Sequence, residues 1–222
     1  MPAPKIRPQV NSIPGFSERA NELRNQLKLV PSDRIAKNTG CEYETLNLIS
    51  GEFSLKIFDT LVKASPPKFL FVDLSGCELP EFQQLLLLYY FSIADGTPSS
   101  GTFVSFADLP GGRMYSQAFQ GYSGEELVKV FGENINAFKS SCEQLGGQSQ
   151  KIADAAYNFE VLPKITIQVV YWLGDDDFSS SCKILFDRNV THYVPIDACA
   201  LVGSNLAKRL IKNFRQTKDI QL

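Results

Sequence analysis

The chain has few of the residues that build metal centres or disulfide frameworks. Its 222 residues include one histidine, one tryptophan and five cysteines, and no two cysteines form a CxxC pair. An odd number of widely spaced cysteines favours free, mostly buried thiols in a reducing compartment. We therefore expect no metal site and a cytoplasmic protein, and the sequence identifies no cofactor.

The chain also lacks an excess of charge and a long apolar run. Lysine and arginine number 22 against 24 acidic residues, so the net charge is −2 and no overall positive field attracts a phosphate backbone. We expect no nucleic-acid partner. The run LLLLYYF, residues 85–91, is far shorter than the roughly 20 residues that cross a bilayer, and the start MPAPKIRPQV has no apolar signal segment.

The hydrophobic pattern predicts three parts. Residues 1–15 contain four prolines and no periodicity, so we expect a disordered or extended arm. Residues 16–216 form one α+β domain, and residues 217–222 form a short tail. Within the domain, the pattern predicts helices over 17–29, 32–38, 80–94 and 195–215, a capping box at Ser123 and Glu126, and strands over 41–74 and the last third.

These elements predict the fold class. Short connections between the strands favour antiparallel pairing. Helix 80–94 is apolar on nearly every side, which is typical of a buried central helix. The expected architecture is a mostly antiparallel sheet with helices packed on one face.

The glycine-rich stretch FVSFADLPGGRMYSQAFQGYSG, residues 103–124, is the first candidate site. We expect Gly111 or Gly112 to adopt a conformation that other residues avoid, so that bare backbone approaches an anion. Arg113 would clamp that anion, with Tyr115 or Tyr122 as aromatic walls of the largest pocket. The alternative is a loop that needs positive φ for structural reasons, with Arg113 paired to a structural carboxylate.

The single histidine gives the second candidate site. His192 could act as a general base if a carboxylate orients it, and Asp187, Asp197 and the run 175–177 are the acids considered. A structural hydrogen-bonding role is the alternative. We interpret the acidic run as a hairpin tip rather than a metal site, and Trp172 before it as a core or cleft-lining residue.

Three blocks carry a resemblance to a known family. FVSFADLPGGRMYSQAF, LPKITIQVVYWLGDDDF and ILFDRNVTHYVPIDACALVGSNLAKRL resemble, in this order, a bacterial and archaeal family of domains of unknown function. Some members of that family resemble fusions with ferredoxin-type iron–sulfur segments, which implies a link to tetrapyrrole, corrinoid or redox metabolism. The first 40 residues of this chain hold no cysteine, so a cluster there is excluded.

Two functions follow as hypotheses. The first is a soluble binding or accessory protein that holds a small anionic ligand or a protein partner at the LPGGR loop. The second is a hydrolase or transferase with Arg113 as anion clamp and His192 as general base. Peripheral membrane contact through the basic C-terminal helix is a third idea, although core packing explains the apolar face of that helix better.

Overall fold

The computed structural model describes residues 15–47 and 50–220. The α-helices are Phe16–Leu27 (α1), Ser32–Thr39 (α2), Glu81–Ile93 (α3), Ser116–Gly121 (α4), Gly124–Phe131 (α5), Ile135–Gln144 (α6) and Ile196–Ile220 (α7). The strands are Glu42–Asn47 (β1), Ser50–Ile57 (β2), Thr60–Ala64 (β3), Phe71–Asp73 (β4), Phe103–Ser105 (β5), Gln148–Gln150 (β6), Ala155–Leu162 (β7), Ile165–Trp172 (β8) and Ser181–Asp187 (β9).

The α+β class is confirmed, and the strands form two antiparallel sheets rather than one. The first sheet has the order β1-β2-β3-β4, as expected for a meander of short connections. The second has the order β5-β9-β8-β7-β6. A backbone hydrogen bond from the Phe58 N–H to the Val161 carbonyl joins the β2–β3 turn of the first sheet to β7 of the second.

Helix α3 packs on the first sheet, and α5, α6 and α7 pack around the second. The Phe91 ring of α3 meets Phe53 and Phe71 edge-on at centroid distances of 5.1 and 5.0 Å. A buried central helix predicts full burial of Leu85, Leu86, Tyr89 and Ile93. This is confirmed for Leu86 but wrong for the other three, which are partly exposed. α1 lies beside α3.

The boundaries differ from the sequence expectation in three places. α7 continues to Ile220, so its polar last turns belong to the helix and not to a tail. The capping box is not formed, because the Ser123 hydroxyl donates to the Phe119 carbonyl of the preceding turn instead. The helical spacing of apolar residues runs on from Leu127 to Leu145 and predicts one helix, but Gly132 separates α5 from α6. The proposed arm lies outside the described residues except for Gly15.

Tyr90 of α3 connects elements from both halves of the fold. Its side chain is fully buried, and its hydroxyl donates to the Thr39 carbonyl at 2.5 Å and accepts from the Lys164 N–H at 3.1 Å. Burial raises the pKa of this hydroxyl, so it remains a donor at all ordinary pH values. The ring also packs against Tyr193 at 5.9 Å. One side chain thus holds α2, the β7–β8 turn and the segment before α7.

No helix in the described part of the chain combines the length and the apolar character needed to cross a membrane.

Replacing Tyr90 with phenylalanine tests this connection. The ring is kept, but the Lys164 N–H and the Thr39 carbonyl lose their buried partner, so we expect the free energy of unfolding to fall by about 1–3 kcal/mol. Urea denaturation measures the change. The matched control Tyr115→Phe removes an exposed hydroxyl and should change stability by less than about 0.5 kcal/mol. Equal effects of the two changes would contradict the assigned role of Tyr90.

Candidate functional site

The LPGGR turn needs both of its glycines for the path of the backbone. Gly111 has φ +79°, a conformation that L-residues with side chains rarely adopt. A Cβ on Gly112 would lie 1.8 Å from the Phe106 carbonyl oxygen, and a Cβ on Gly111 would lie 3.6 Å from Cγ2 of Ile196. The expected special conformation is confirmed at Gly111. The turn is therefore rigid and lies against the first residue of α7.

Directly after this turn, three side chains project into solvent. Arg113, Met114 and Tyr115 form a short 3-10 helix, and the exposed fractions of Met114 and Tyr115 are 86% and 55%. The Ser116 hydroxyl donates to the Arg113 carbonyl at 2.9 Å and fixes the end of this helix. Among the described residues, no carboxylate pairs with the Arg113 guanidinium, so the expected structural ion pair is not formed there. We call Arg113, Met114 and Tyr115 the Arg113 surface.

Helix α4 fixes the Arg113 surface to the core. The Phe119 ring stacks on Phe106 at 4.5 Å, and it approaches α7 at Gly203, where a Cβ would lie 2.7 Å away. Tyr122 packs edge-on against Phe119 at 5.8 Å and keeps 42% of its surface exposed. Burial, and then the charge of Asp197, raises the pKa of Tyr122. Tyr122 thus adds a partly exposed ring at the end of α4.

The Arg113 surface lies outside the cavities described in this structure. One cavity of about 600 Å³ is lined by the 174–180 hairpin together with Val128, Gly132 and Glu133. Arg113, Tyr115 and Tyr122 do not line this cavity, and their expected place in the largest pocket stays a prediction.

Trp172 belongs to the second sheet. It is half-buried at the end of β8, opposite Ser181, and no ring contact joins it to Tyr115 or Tyr122 in the part of the chain described. The following acidic run is a tight turn, in which a carboxylate oxygen of Asp175 accepts the N–H groups of Asp177 and Phe178. No three metal-ligating side chains are grouped for a metal ion among the described residues.

His192 is oriented by a carboxylate that the sequence did not indicate. Its Nδ1 lies 2.8 Å from Oδ2 of Asp95 and 3.2 Å from the Thr97 hydroxyl. The hydrogen bond from His192, and then those from the Thr97 hydroxyl and N–H, hold the pKa of Asp95 well below its usual value. Asp95 follows α3, 97 positions before His192. Such a distant contact has no sequence signal in a single chain.

Asp187 does not orient His192, so that sequence interpretation is corrected. Its buried carboxylate accepts the Ser99 hydroxyl at 2.6 Å and the N–H groups of Ser100, Gly101 and Asn189 at 2.9–3.1 Å. Burial acts to raise the pKa of Asp187, but these hydrogen bonds outweigh burial and lower it. Asp187 thus fixes the segment between α3 and β5, which also carries Asp95.

The basic C-terminal helix presents its charges outward. Lys208, Lys212 and Arg215 line a cavity of about 480 Å³ beside Glu126 of α5. The apolar face of α7, which would have to enter a membrane, is buried in the core through Val202, Leu206 and Leu210. This packing removes the apolar surface that an amphipathic membrane anchor needs.

The comparison with protein families agrees with the resemblance in the three blocks. The family model of the domain of unknown function DUF3786 matches residues 32–209. The chain belongs to this family. The matched segment includes the Arg113 surface and the Asp95–His192 pair, whereas α1 lies outside it. No curated protein and no solved structure matches the chain significantly.

Gly112→Ala tests the rigidity of the turn. The added methyl group would overlap the Phe106 carbonyl, so we expect a loss of about 1–3 kcal/mol in the free energy of unfolding, typical of overpacking. The matched control is Gly121→Ala in α4, where a Cβ meets only a Glu125 side-chain oxygen at 3.9 Å. Alanine is favoured over glycine in a helix, so this control should be neutral or stabilising. Unchanged stability of Gly112→Ala would contradict the close approach.

Asp187→Asn tests the anchoring role of Asp187. An amide cannot accept all four donors, so at pH 7 we expect stability to fall by about 2–3 kcal/mol in chemical denaturation. Because the folded pKa is lowered, the wild-type contribution is present above about pH 4 and is lost as the pH falls through the folded pKa. The difference between the two proteins should therefore shrink in acid. Asp176→Asn, at the exposed hairpin, is the control and should show neither effect.

Proposed function

We propose that the chain is a non-catalytic binding protein that docks a protein partner through the Arg113 surface. The observation that supports this most is the exposure of an arginine, a methionine and a tyrosine in sequence on a turn that the backbone holds rigid. These three residue types are enriched in protein interfaces. A rigid turn also loses little conformational entropy when a partner binds.

The composition of the surface indicates the chemistry of the partner. Met114 and Tyr115 favour an apolar patch, to which Tyr122 adds a second ring. The guanidinium of Arg113 forms two parallel hydrogen bonds with a carboxylate most readily. We therefore infer a partner that presents an acidic side chain beside exposed apolar residues.

A small anionic ligand at the same loop has less support. The Gly112 N–H already donates to the Leu109 carbonyl at 2.9 Å, and the Tyr115 N–H donates to the Gly112 carbonyl at 3.1 Å. These bonds leave less bare backbone for an anion than the glycine content suggested. The link to tetrapyrrole, corrinoid or redox metabolism remains a prediction from the family resemblance, because no described side chain is specific to such a cofactor.

Site-specific photocrosslinking in the native host tests the docking proposal. A photoreactive phenylalanine derivative at position 114 should give a discrete adduct of one size. The matched control is position 74, where the leucine is 69% exposed and lies outside the Arg113 surface. Adducts of the same size and yield from both positions, or none from position 114, would contradict the proposal.

Arg113→Lys separates a binding role from a structural one. The change keeps the charge but loses the planar fork, and we expect partner affinity to fall by about tenfold, or roughly 1.4 kcal/mol. The melting temperature should stay nearly unchanged because Arg113 is exposed and unpaired among the described residues. A parallel loss of stability and binding would show that the arginine is structural.

The second candidate function is a hydrolase or transferase with His192 as general base. The 2.8 Å contact between Asp95 and His192 favours it, because a carboxylate on Nδ1 leaves Nε2 to take a proton. Arg113 would be the anion clamp. Hydrolysis of p-nitrophenyl acetate or p-nitrophenyl phosphate that disappears in both His192→Ala and Arg113→Ala would support this function. Rates equal to those in buffer would support the binding function instead.

A further inference from the structure

A cavity between α1 and the β3–β4 loop is lined by positively charged side chains. It has a volume of about 510 Å³ and belongs to elements other than those of the Arg113 surface. Its lining residues are Asn21, Arg24, Asn25, Lys28, Pro67, Lys68 and Leu70. Three of them are cations and none is an acid, so the cavity has one sign of charge within a chain whose net charge is −2.

Four of the lining residues come from α1 and its C-cap, and helical periodicity explains why they lie side by side. Positions 21, 24, 25 and 28 have the spacing i, i+3, i+4 and i+7, which places them on one face of the helix. The adjacent face packs into the core through Ala20, Leu23 and Leu27, each at most 1% exposed. The helix cannot rotate without exposing these residues, and the polar wall of the cavity is therefore fixed.

The other wall of the cavity is the β3–β4 loop, whose backbone has an unusual conformation at Phe69. Phe69 has φ +44°, which is costly for a residue with a bulky side chain, and its ring is buried against Phe53 and Phe91. The Phe69 N–H donates to the Ser65 carbonyl at 3.0 Å and closes the turn. The Phe69 carbonyl accepts the Arg24 Nε–H at 3.4 Å, which brings the loop to α1.

The three cations lack carboxylate partners in the described part of the chain. Lys28 donates to the Asn25 side chain at 2.9 Å, and no ion pair within 4.0 Å includes Arg24, Lys28 or Lys68. Burial lowers the pKa of Arg24, and the charge of Glu78 nearby opposes that effect. A guanidinium stays charged despite such a shift. A concave wall of one sign concentrates the electrostatic field, so an anion would gain more there than on open surface.

We propose that this cavity binds a small phosphorylated molecule, with Arg24, Lys28 and Lys68 around the phosphate. A phosphate carries more charge than a single carboxylate and accepts several donors at once, which suits three cations that line one cavity. Pro67 and Leu70 offer an apolar wall to the rest of the molecule. The volume lies within the range of about 300–1,000 Å³ that is usual for small-molecule sites. Because α1 lies outside the family match, membership in the family does not imply this site.

Isothermal titration calorimetry with inorganic pyrophosphate at low ionic strength tests the site. We expect saturable binding of one pyrophosphate per chain, weakened at least tenfold by Lys28→Gln and by Lys68→Gln, and reduced by added NaCl. Both lysines are exposed, so these variants should keep the wild-type melting temperature. Arg24→Gln should abolish binding, and the lysine variants decide the question if that protein is unfolded.

Lys183→Gln is the matched control, because it removes the same charge from an exposed position on β9 of the other sheet. It should bind pyrophosphate like the wild type. Absence of saturable binding, or an equal loss in Lys183→Gln, would overturn the proposal. Cosedimentation with phosphatidylcholine vesicles containing phosphatidylglycerol separates a free phosphate compound from a lipid headgroup. Vesicle binding without any response to pyrophosphate would also overturn it.

Discussion

The buried hydroxyl of Tyr90 is the contact on which the arrangement of the two sheets most depends. It satisfies a carbonyl at the end of α2 and an N–H in the β7–β8 turn. Without this hydroxyl the Thr39 carbonyl would be buried without its partner, at a cost comparable to a whole hydrogen bond. The Tyr90 ring also packs against Tyr193, so the same residue contacts the segment before α7. The candidate functional residues lie on loops that this framework holds in place.

In those loops, glycine and aspartate have the same effect, because each fixes the path of the backbone. At the LPGGR turn, close backbone approach at Gly112 fixes the exposed side chains that follow. The buried carboxylate of Asp187 accepts one hydroxyl and three N–H groups. All but the Asn189 N–H come from the segment between α3 and β5, so the carboxylate fixes the segment that also carries Asp95. In both places an internal constraint determines what the surface presents. This suits the proposed recognition of a partner by a rigid surface.

Much of the fold was predictable because local patterns agree with the final structure. The period-two stretch from residue 41 became the β1–β4 meander, and Gly40 ends α2 with φ +69° as expected of a helix C-cap. The division into two sheets was not predictable, since it depends on which strands meet across long separations. Ser123 shows another limit. Its hydroxyl could cap α5 or bond to the preceding turn, and in the structure it donates to the Phe119 carbonyl of that turn.

The candidate site was predictable only in part, for a similar reason. The need for a glycine with positive φ at position 111 or 112 can be read from the sequence, and the structure shows that position 111 is the one. The partner of His192 could not be read, because 97 positions separate it from Asp95. The basic cavity has no signal in the sequence either. Its charges come from two segments about 40 residues apart, and each segment alone is an ordinary solvated surface.

Hydrogen–deuterium exchange on the complex purified from the native host tests the central claim most directly. Backbone amides over residues 113–122 should exchange more slowly in the complex than in the free chain, whereas exchange in the 174–180 hairpin should be unchanged. Unaltered exchange over 113–122, with protection concentrated at the hairpin or around His192, would contradict the assignment of the Arg113 surface as the docking site.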